Sequence, residues 1–284
     1  MDLTIVIVSF KSGDILHRCI KSIDNKYKIL VIENSLDNGL KTKLEKKYLN
    51  VKCILPNENL GYGGGNNLGI KVSQTNYVLV LNPDTILNKN TIPNLLKEAE
   101  IIKDFAIIGP RIVEDNGKKK NENNKTYELA SYLKGFAILF NKKKLDKIGY
   151  FDESFFLYFE EIDLCKRIID NGEKIYVINS SSIKHIGGQS HENKFNFEME
   201  LSRNWHWMWS TCYYFKKNYG LFFAIKKVYK NFVTSIFKII FYSLIFNLQK
   251  KQIYLQRLSG IINGIFGKKS WYRPKIWLNW LISI

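Results

Sequence analysis

Three carboxylates fall within four residues at Glu160, Glu161 and Asp163, directly after the apolar and aromatic run Phe155–Phe159. The first turn of a helix favours acidic side chains, so a solvated acidic helix start is one interpretation of this cluster. Asp163 lies one helical turn before Arg167, and this spacing predicts a structural ion pair. Glu161 would then lie on a different face of the helix from the Asp163–Arg167 pair. A carboxyl beside an aromatic wall has a raised pKa, which suits a general base.

A further acid, Asp84, follows the apolar run Tyr77–Leu81 in the segment Asn82-Pro83-Asp84-Thr85. In open α/β sheets, ligands bind where the strands end. Carboxylate oxygen is a ligand that divalent cations such as Mg²⁺ prefer. The segment therefore indicates a metal site, and the alternative is a turn in which Asp84 caps the chain locally.

A glycine-rich segment runs from Asn59 to Asn67 and leads into a predicted helix. Glycines let the backbone approach a ligand closely, and a helix N-terminus attracts phosphate. The spacing matches neither the dinucleotide-binding fingerprint nor the Walker loop, so the segment alone does not identify a phosphate site. His185 is a candidate ligand of a metal or a phosphate, although a lone histidine is more often neither.

Strand and helix patterns alternate along the first half of the chain, which predicts an α/β domain with a largely parallel sheet. Continuous β-branched runs predict buried strands, and apolar residues spaced three or four apart predict helices. The predicted strands are Leu3–Ser9, Lys28–Glu33, Val51–Leu55, Tyr77–Leu81, Gly135–Phe140 and Lys174–Asn179. The predicted helices are Asp14–Ser22, Lys41–Leu49, Asn66–Ser73, Thr91–Ile101 and Phe159–Asn171.

Charge is distributed unevenly along the 284 residues. The chain has 43 Lys and Arg against 26 Asp and Glu, a formal net charge of +17. Residues 201–284 contain 14 of the basic residues and no acidic one, because Glu200 is the last acid. An apolar fraction of 45% excludes wholesale disorder. The four cysteines are widely spaced, which excludes a zinc pattern and favours reduced thiols in the cytoplasm.

The basic tail contains polar side chains every three or four residues over 226–238, with Val228, Phe232, Ile236 and Ile239 between them. This pattern predicts a basic amphipathic helix that lies on an anionic membrane surface. A spanning helix over 231–248 is less favoured, since it has only 18 residues and about 20 are needed. A docking or oligomerisation helix is another alternative, and a nucleic-acid-binding tail is a further one.

The order of these motifs resembles the inverting family-2 glycosyltransferases of GT-A fold, in particular the bacterial rhamnosyltransferase-like branch. The resemblance covers roughly residues 3–220 and implies an α/β GT-A fold, Rossmann-like in character, with a mainly helical and basic C-terminal extension. The matching segments are Ile5-Val6-Ile7-Val8-Ser9-Phe10, Val31-Ile32-Glu33-Asn34-Ser35, the stretch from Asn59 to Asn67, Leu81–Thr85, Gly149–Glu153, Phe156–Arg167 and His185.

The resemblance implies a nucleotide-sugar site and a role for each matched position. Ser9, Phe10 and Glu33 match positions that line the nucleotide base. The glycine-rich stretch matches the loop that flanks the nucleoside and the diphosphate, and its site residues are Asn59, Gly65 and Asn66.

The resemblance also implies metal-dependent chemistry. Asn82 and Asp84 match the ends of the DxD motif, and Asp84 with His185 would hold Mg²⁺ or Mn²⁺. Glu161 matches the presumed catalytic base. Because aspartate is usual at that position, Glu160 and Asp163 are alternative bases.

The implied activity is inverting transfer of a sugar from a dTDP-rhamnose or UDP-hexose type of donor. The acceptor would be a glycan or lipid-linked glycan in surface polysaccharide synthesis. We expect a catalytic domain over 1–204 and a basic extension over 205–284. The expected location is the cytoplasmic face of the cell membrane, without a nucleic-acid partner and with a homo-oligomer as an open option. A sugar-phosphate nucleotidyltransferase, a nucleic-acid-binding protein and a non-catalytic homologue are the alternatives.

Overall fold

The computed structural model describes residues 2–113, 125–185 and 195–275. The chain forms two compact units. The first comprises Met1–Glu153 and Glu160–Glu192, and the second comprises Ser154–Phe159 and Asn193–Ile284.

The first unit contains a mixed β-sheet to which nine strands of the described residues contribute. The strands are β1 (Leu3–Ser9), β2 (Lys28–Glu33), β3 (Val51–Ile54), β4 (Tyr77–Leu81), β5 (Thr85–Leu87), β6 (Ile107–Val113), β7 (Tyr127–Leu129), β8 (Ala137–Asn141) and β9 (Ile175–His185). Helices cover the sheet: α1 (Gly13–Lys21), α2 (Asn38–Lys47), α3 (Gly61–Val72), α4 (Thr91–Ile102), α5 (Lys142–Ile148) and α6 (Glu160–Asp170).

The strand order is β3-β2-β1-β4-β8-β6-β9-β5, with β7 paired to β9. The parallel pairing predicted for the first half of the chain is confirmed, since β3, β2, β1 and β4 are all parallel. The second half differs, because β8 is antiparallel to both of its neighbours and β5 and β7 are antiparallel to β9. The strict alternation of strands and helices ends after β4, since β5 follows it without a helix, and antiparallel pairs need no helical crossover.

Burial explains why the first strands are continuous apolar runs. Ile5 and Ile7 lie in one apolar cluster while Val6 lies in another, so β1 is covered on both faces. A strand covered on both faces carries apolar residues at every position rather than at alternate ones.

The glycine-rich segment forms the start of helix α3, five residues earlier than predicted. Close packing against β1 is the reason that glycine is needed there. A Cβ atom added at Gly65 would lie 3.0 Å from both Cγ atoms of Val8, and one at Gly69 would lie 2.4 Å from Cγ1 of Val6. Glycines at these positions therefore let the helix backbone lie directly on the strand.

The second unit is built from the helices α7 (Asn196–Tyr219), α8 (Leu221–Leu244) and α9 (Leu248–Ile265), so the helical nature of this region is as predicted. Met208, Cys212, Val228 and Ile261 form its apolar cluster, with Phe232 packed against it. Helix α7 runs without a break through residue 204, the expected end of the catalytic domain, so the division into 1–204 and 205–284 stays a prediction.

The prediction of which face of α8 would contact a membrane is partly wrong. Val228 is buried and Phe232 packs on the cluster of the second unit, so these two side chains are not presented to a membrane. The helix is apolar on more than one side, and its sequence pattern alone does not show which side packs inward. None of the helices in the described ranges combines the length and hydropathy needed to cross a bilayer.

We expect Gly69→Ala to destabilise the protein by about 1–3 kcal/mol, since overpacking against the stiff Val6 side chain outweighs the better helix propensity of alanine. Urea unfolding of the purified protein measures this difference. The double variant Val6→Ala/Gly69→Ala tests the cause, because removal of the Val6 methyl groups relieves the clash. Strictly additive losses in the double variant would contradict the steric explanation.

Candidate active site

The carboxyl ends of three parallel strands meet at one edge of the sheet. Ser9 at the end of β1 is in register with Glu33 at the end of β2. On the other side of β1, Ile7 is in register with Leu81, the last residue of β4. The register therefore places Ser9, Glu33 and the segment after Leu81 at the same edge, where ligands bind in open α/β sheets.

Asp84 and His185, predicted together as metal ligands, are adjacent. Strand β5 pairs with the end of β9, and Thr85 is in register with His185. The His185 Nε2 atom lies 3.3 Å from Oδ2 of Asp84. The imidazole stacks on the Phe136 ring at a centroid distance of 3.6 Å and an interplanar angle of 12°, which fixes its orientation.

Unpartnered polar atoms are concentrated at this site. Within the described part of the chain, six buried side-chain oxygens have no hydrogen-bond partner. They are Ser9 Oγ, Asn34 Oδ1, Asn66 Oδ1, Asn82 Oδ1, Asp84 Oδ1 and Glu160 Oε2. Folded proteins pair most of their buried polar groups, so a set of unpaired oxygens in the predicted motifs indicates a place for a ligand or cation.

The acidic helix start is buried rather than solvated. Helix α6 begins at Glu160, which is 4% exposed. Burial, followed by the neighbouring Glu161, raises the pKa of Glu160 well above its usual value. Burial also raises the pKa of Glu161, and two backbone N–H groups partly oppose this shift. Tyr158 and Phe159 have φ angles of 71° and 72°, so the chain enters the helix through two residues in the left-handed region.

Asp163 is held by Arg167, and the ion pair predicted from their spacing is confirmed. The Arg167 Nε atom donates to Oδ2 of Asp163 at 2.9 Å. The same guanidinium donates to the carbonyl oxygens of Ile148, Gly149 and Tyr150. Asp163 thus helps to anchor the segment before the acidic helix, which leaves Glu160 and Glu161 as the better placed base candidates.

Glu33 organises the turn that follows β2. Its Oε1 accepts from the backbone N–H and hydroxyl of Ser35 at 3.2 and 2.5 Å, and its Oε2 accepts from the backbone N–H of Asp37 at 2.7 Å. This carboxylate is fully buried. Its placement at the sheet edge is as the motif suggested, and contact with a nucleotide base stays a prediction.

The residues predicted to flank the sugar nucleotide, Asn59, Gly65 and Asn66, lie just before α3 or in its first turns. The Asn59 Oδ1 atom accepts from the backbone N–H of Gly61 at 3.0 Å, which fixes the entry to the helix. Asn66 donates to the carbonyl oxygen of Tyr62 at 3.0 Å and keeps its own Oδ1 unpaired. Phe10 is half-buried, and its backbone N–H bonds the hydroxyl of Ser12.

Two further side chains belong to this site, and sequence reasoning did not single them out. Asn34 donates to the carbonyl oxygen of Gly61 at 2.9 Å, so it joins the end of β2 to α3. The Tyr62 hydroxyl donates to the carbonyl oxygen of Gly135 at 2.5 Å. Burial, followed by the charges of Glu160 and Glu161, raises the pKa of Tyr62 well above its usual value. Both residues lie in segments that the sequence analysis matched, Asn34 next to Glu33 and Tyr62 between Asn59 and Asn67, and this position was a usable signal.

The side chains at this site fit a divalent cation whose remaining ligands come from a bound phosphate. The described residues contain no cluster of three His, Cys, Asp or Glu able to hold a metal by themselves. Asp84 and His185 would supply one oxygen and one nitrogen ligand, and the unpaired Oδ1 of Asn82 is a further hard oxygen at the same strand end. Mg²⁺ is commonly held by one or two carboxylates together with substrate phosphates, so a small protein donor set suffices.

Comparisons with known proteins agree with this geometry. A curated relative, the low-salt glycan biosynthesis hexosyltransferase Agl10 of Haloferax volcanii, is 30% identical over 58% of this chain and 61% of its own length, under two thirds of that protein. The N-acetylglucosaminyl-diphospho-decaprenol L-rhamnosyltransferase of Mycobacterium tuberculosis is 22% identical over 64% of this chain and 75% of its own length.

A structural comparison extends over nearly the whole chain. The mannosyltransferase PcManGT from Pyrobaculum calidifontis, solved with GDP-Man and Mn²⁺, superposes with a TM-score of 0.58 at 11% identity over 94% of this chain and 88% of that one. The fold is therefore that of GT-A glycosyltransferases. The family model described as glycosyl transferase family 2 matches residues 4–165, more than half of the chain, and the chain belongs to this family.

Proposed function

We propose that this protein transfers a sugar with inversion from a nucleotide-sugar donor to a hydroxyl of a glycan or lipid-linked glycan. The observation that carries the proposal is the set of unpaired buried oxygens in the matched motifs, of which Ser9 Oγ, Asn82 Oδ1 and Asp84 Oδ1 lie at the strand ends. The raised pKa values of Glu160 and Glu161 add candidate bases in the same unit. The name of the mycobacterial relative specifies a lipid diphosphate acceptor, and the mannosyltransferase PcManGT was solved with the nucleotide sugar GDP-Man. A dTDP-rhamnose or UDP-hexose donor is the chemistry to test first.

Glu161 is the base in this proposal. It takes the proton of the acceptor hydroxyl while the oxygen forms a bond to the anomeric carbon, and the bond to the nucleoside diphosphate breaks. Burial beside Glu160 raises its pKa, so its conjugate acid matches neutral conditions better than an ordinary glutamate does. Glu161 is half-buried whereas Glu160 is almost fully buried, which favours Glu161 as the group that an acceptor reaches.

Donor binding is assigned to the sheet edge. Ser9, Phe10 and Glu33 would face the base, and Asn59, Gly65 and Asn66 would flank the sugar nucleotide. Asp84, Asn82 and His185 would hold Mg²⁺ or Mn²⁺. When bound there, the cation supplies positive charge that stabilises the departing diphosphate.

Glu161→Gln should lower kcat by about 10²–10⁴-fold, because the amide cannot accept the proton. Since the pKa of Glu161 is raised and the deprotonated form is active, kcat/KM of the wild type should fall with decreasing pH from a higher pH than the ordinary glutamate value of about 4.3 predicts. Release of nucleoside diphosphate as a function of pH measures both effects. Full activity of Glu161→Gln together with loss in Glu160→Gln would move the base to Glu160.

Asp84→Asn should remove the Mn²⁺-dependent part of nucleotide binding, because a charged cation ligand becomes neutral. Thermal unfolding with UDP or dTDP, in the presence of Mn²⁺ or of EDTA, measures this without turnover. Asp24→Asn, which changes an exposed acid paired with Lys26, is the matched control and should retain the wild-type shift. An equal Mn²⁺-dependent shift in Asp84→Asn would contradict the assignment of the metal site.

The second unit supports a peripheral membrane location, which we include in the proposal. Helix α8 has a stripe of exposed apolar side chains that runs along most of its length and is distinct from its buried residues. Its members are Phe222, Ile225, Tyr229, Ile236, Phe237, Ile240, Phe241 and Leu244, hereafter the α8 stripe. Exposed apolar patches of this kind mark interaction sites. Lys227, Lys230 and Lys238 lie on the same helix, and this charge favours an anionic membrane surface over another protein.

Phe222→Ser/Phe237→Ser should weaken binding to phosphatidylglycerol vesicles by about tenfold or more, since burial of an aromatic side chain contributes about 1.5–3 kcal/mol. Vesicle sedimentation at increasing salt measures the affinity, which should fall as salt screens the lysines. Leu49→Ser, at a fully exposed leucine of the first unit, is the matched control. Unchanged vesicle binding with a loss of dimers in light scattering would instead assign the α8 stripe to a second copy of the chain.

A further inference from the structure

We propose that an open cavity within the second unit binds the phosphate-bearing sugar of the acceptor. The cavity has a volume of about 480 Å³. Its lining includes Tyr158, Glu200, Arg203, Trp207 and Arg257. This inference rests on the proposed function, because it assigns the acceptor of that reaction to a site that none of the sequence motifs identified.

One face of α7 forms most of the cavity lining. Asn196, Glu200, Arg203, Asn204 and Trp207 recur at helical spacing, and α9 adds Arg257. The lining residues that are charged at neutral pH are two arginines and one glutamate. The cavity therefore carries a net positive charge in a part of the chain that has no acid after Glu200.

Neither arginine of the cavity is neutralised by a carboxylate of the described residues. Arg257 donates to the side-chain oxygens of Asn204 and Asn231 at 3.4 and 2.9 Å, so neutral amides fix its guanidinium and its charge stays available. Arg203 makes no hydrogen bond or ion pair with any residue that the structure describes, although Glu200 is one turn away. Guanidinium groups bind phosphate in a bidentate manner, so this pair suits a phosphate or diphosphate.

The aromatic wall of the same cavity suits a sugar ring. Trp207 is 47% exposed, which is unusual for the largest apolar side chain, and its ring meets Tyr158 edge to face at 5.2 Å. A rigid aromatic pair offers a flat apolar surface at a low entropic cost. Glu200 adds a carboxylate that can accept hydrogen bonds from sugar hydroxyls.

The two halves of the lining thus specify a sugar that carries a phosphate. A neutral glycan would leave the arginines unmatched, and inorganic phosphate would leave Trp207 uncovered. Tyr158 also precedes Glu160 by two residues, so this residue of the aromatic wall is close in sequence to the helix that carries the candidate base. Both a lipid-linked glycosyl diphosphate and a phosphate-containing polymer present this chemistry.

The test compares N-acetylglucosamine 1-phosphate with N-acetylglucosamine and with inorganic phosphate, using calorimetry on the full chain. We expect saturable binding of the sugar phosphate that is weakened at least tenfold by Arg203→Gln. Trp207→Ala should weaken the binding of both N-acetylglucosamine 1-phosphate and N-acetylglucosamine. Lys269→Gln removes an exposed positive charge outside the cavity and should bind as the wild type does. Equal affinity of Arg203→Gln and wild type, or no saturable binding, would overturn the proposal.

Competition identifies the source of the phosphate. Displacement of the probe by a short-chain prenyl diphosphate of N-acetylglucosamine supports a lipid-linked acceptor, and displacement by an oligomer of N-acetylglucosamine 1-phosphate supports a phosphate-containing polymer. Displacement by neither compound overturns the acceptor role.

Two readouts separate this proposal from the proposed function. Nucleotide-induced thermal shifts report on the donor site of the first unit, and Arg203→Gln should retain them. Absence of transfer and hydrolysis with every nucleotide sugar would refute the proposed function whatever the cavity binds. Transfer by the wild type, combined with an unchanged acceptor KM in Arg203→Gln, would refute only the cavity assignment.

Discussion

The burial of unpaired oxygens at the carboxyl edge of the sheet is the constraint on which the rest of the structure depends. Asn82 Oδ1, Asp84 Oδ1 and Ser9 Oγ are removed from water without a hydrogen-bond partner. Each such group costs about 1–3 kcal/mol until a ligand satisfies it. The apolar layers on both faces of β1 offset this cost, and the strand is apolar at every position from Ile5 to Val8.

Rigid packing keeps these oxygens in place. Gly65 and Gly69 bring α3 into direct contact with β1, so the helix that carries Asn66 cannot shift away from the strand that ends in Ser9. Asn34 then ties the end of β2 to the first residue of α3. The edge is therefore held by backbone contacts and short polar side chains, and this arrangement preorganises a site before its ligand arrives.

Local patterns predicted the parts of the fold and site that depend on neighbours in sequence. Strand β4 and the Asp163–Arg167 pair follow from apolar runs and helical spacing, and both are present. The antiparallel position of β8 was not predictable from local pattern, because pairing between distant segments is decided by the whole sheet. The contact of Tyr62 with Gly135 was missed for the same reason, since the two residues lie 73 positions apart.

The three carboxylates of the acidic cluster have different surroundings, and we therefore expect them to have different roles. Asp163 is paired with an arginine that also holds three backbone carbonyls, so its charge stabilises the chain before α6. Glu160 is buried with an unpaired oxygen, and its raised pKa favours a neutral acid. A neutral Glu160 next to Glu161 removes the repulsion that a second charge would cause. In the proposed mechanism, Glu161 would then carry the single negative charge that proton abstraction requires, and its side chain is only half-buried.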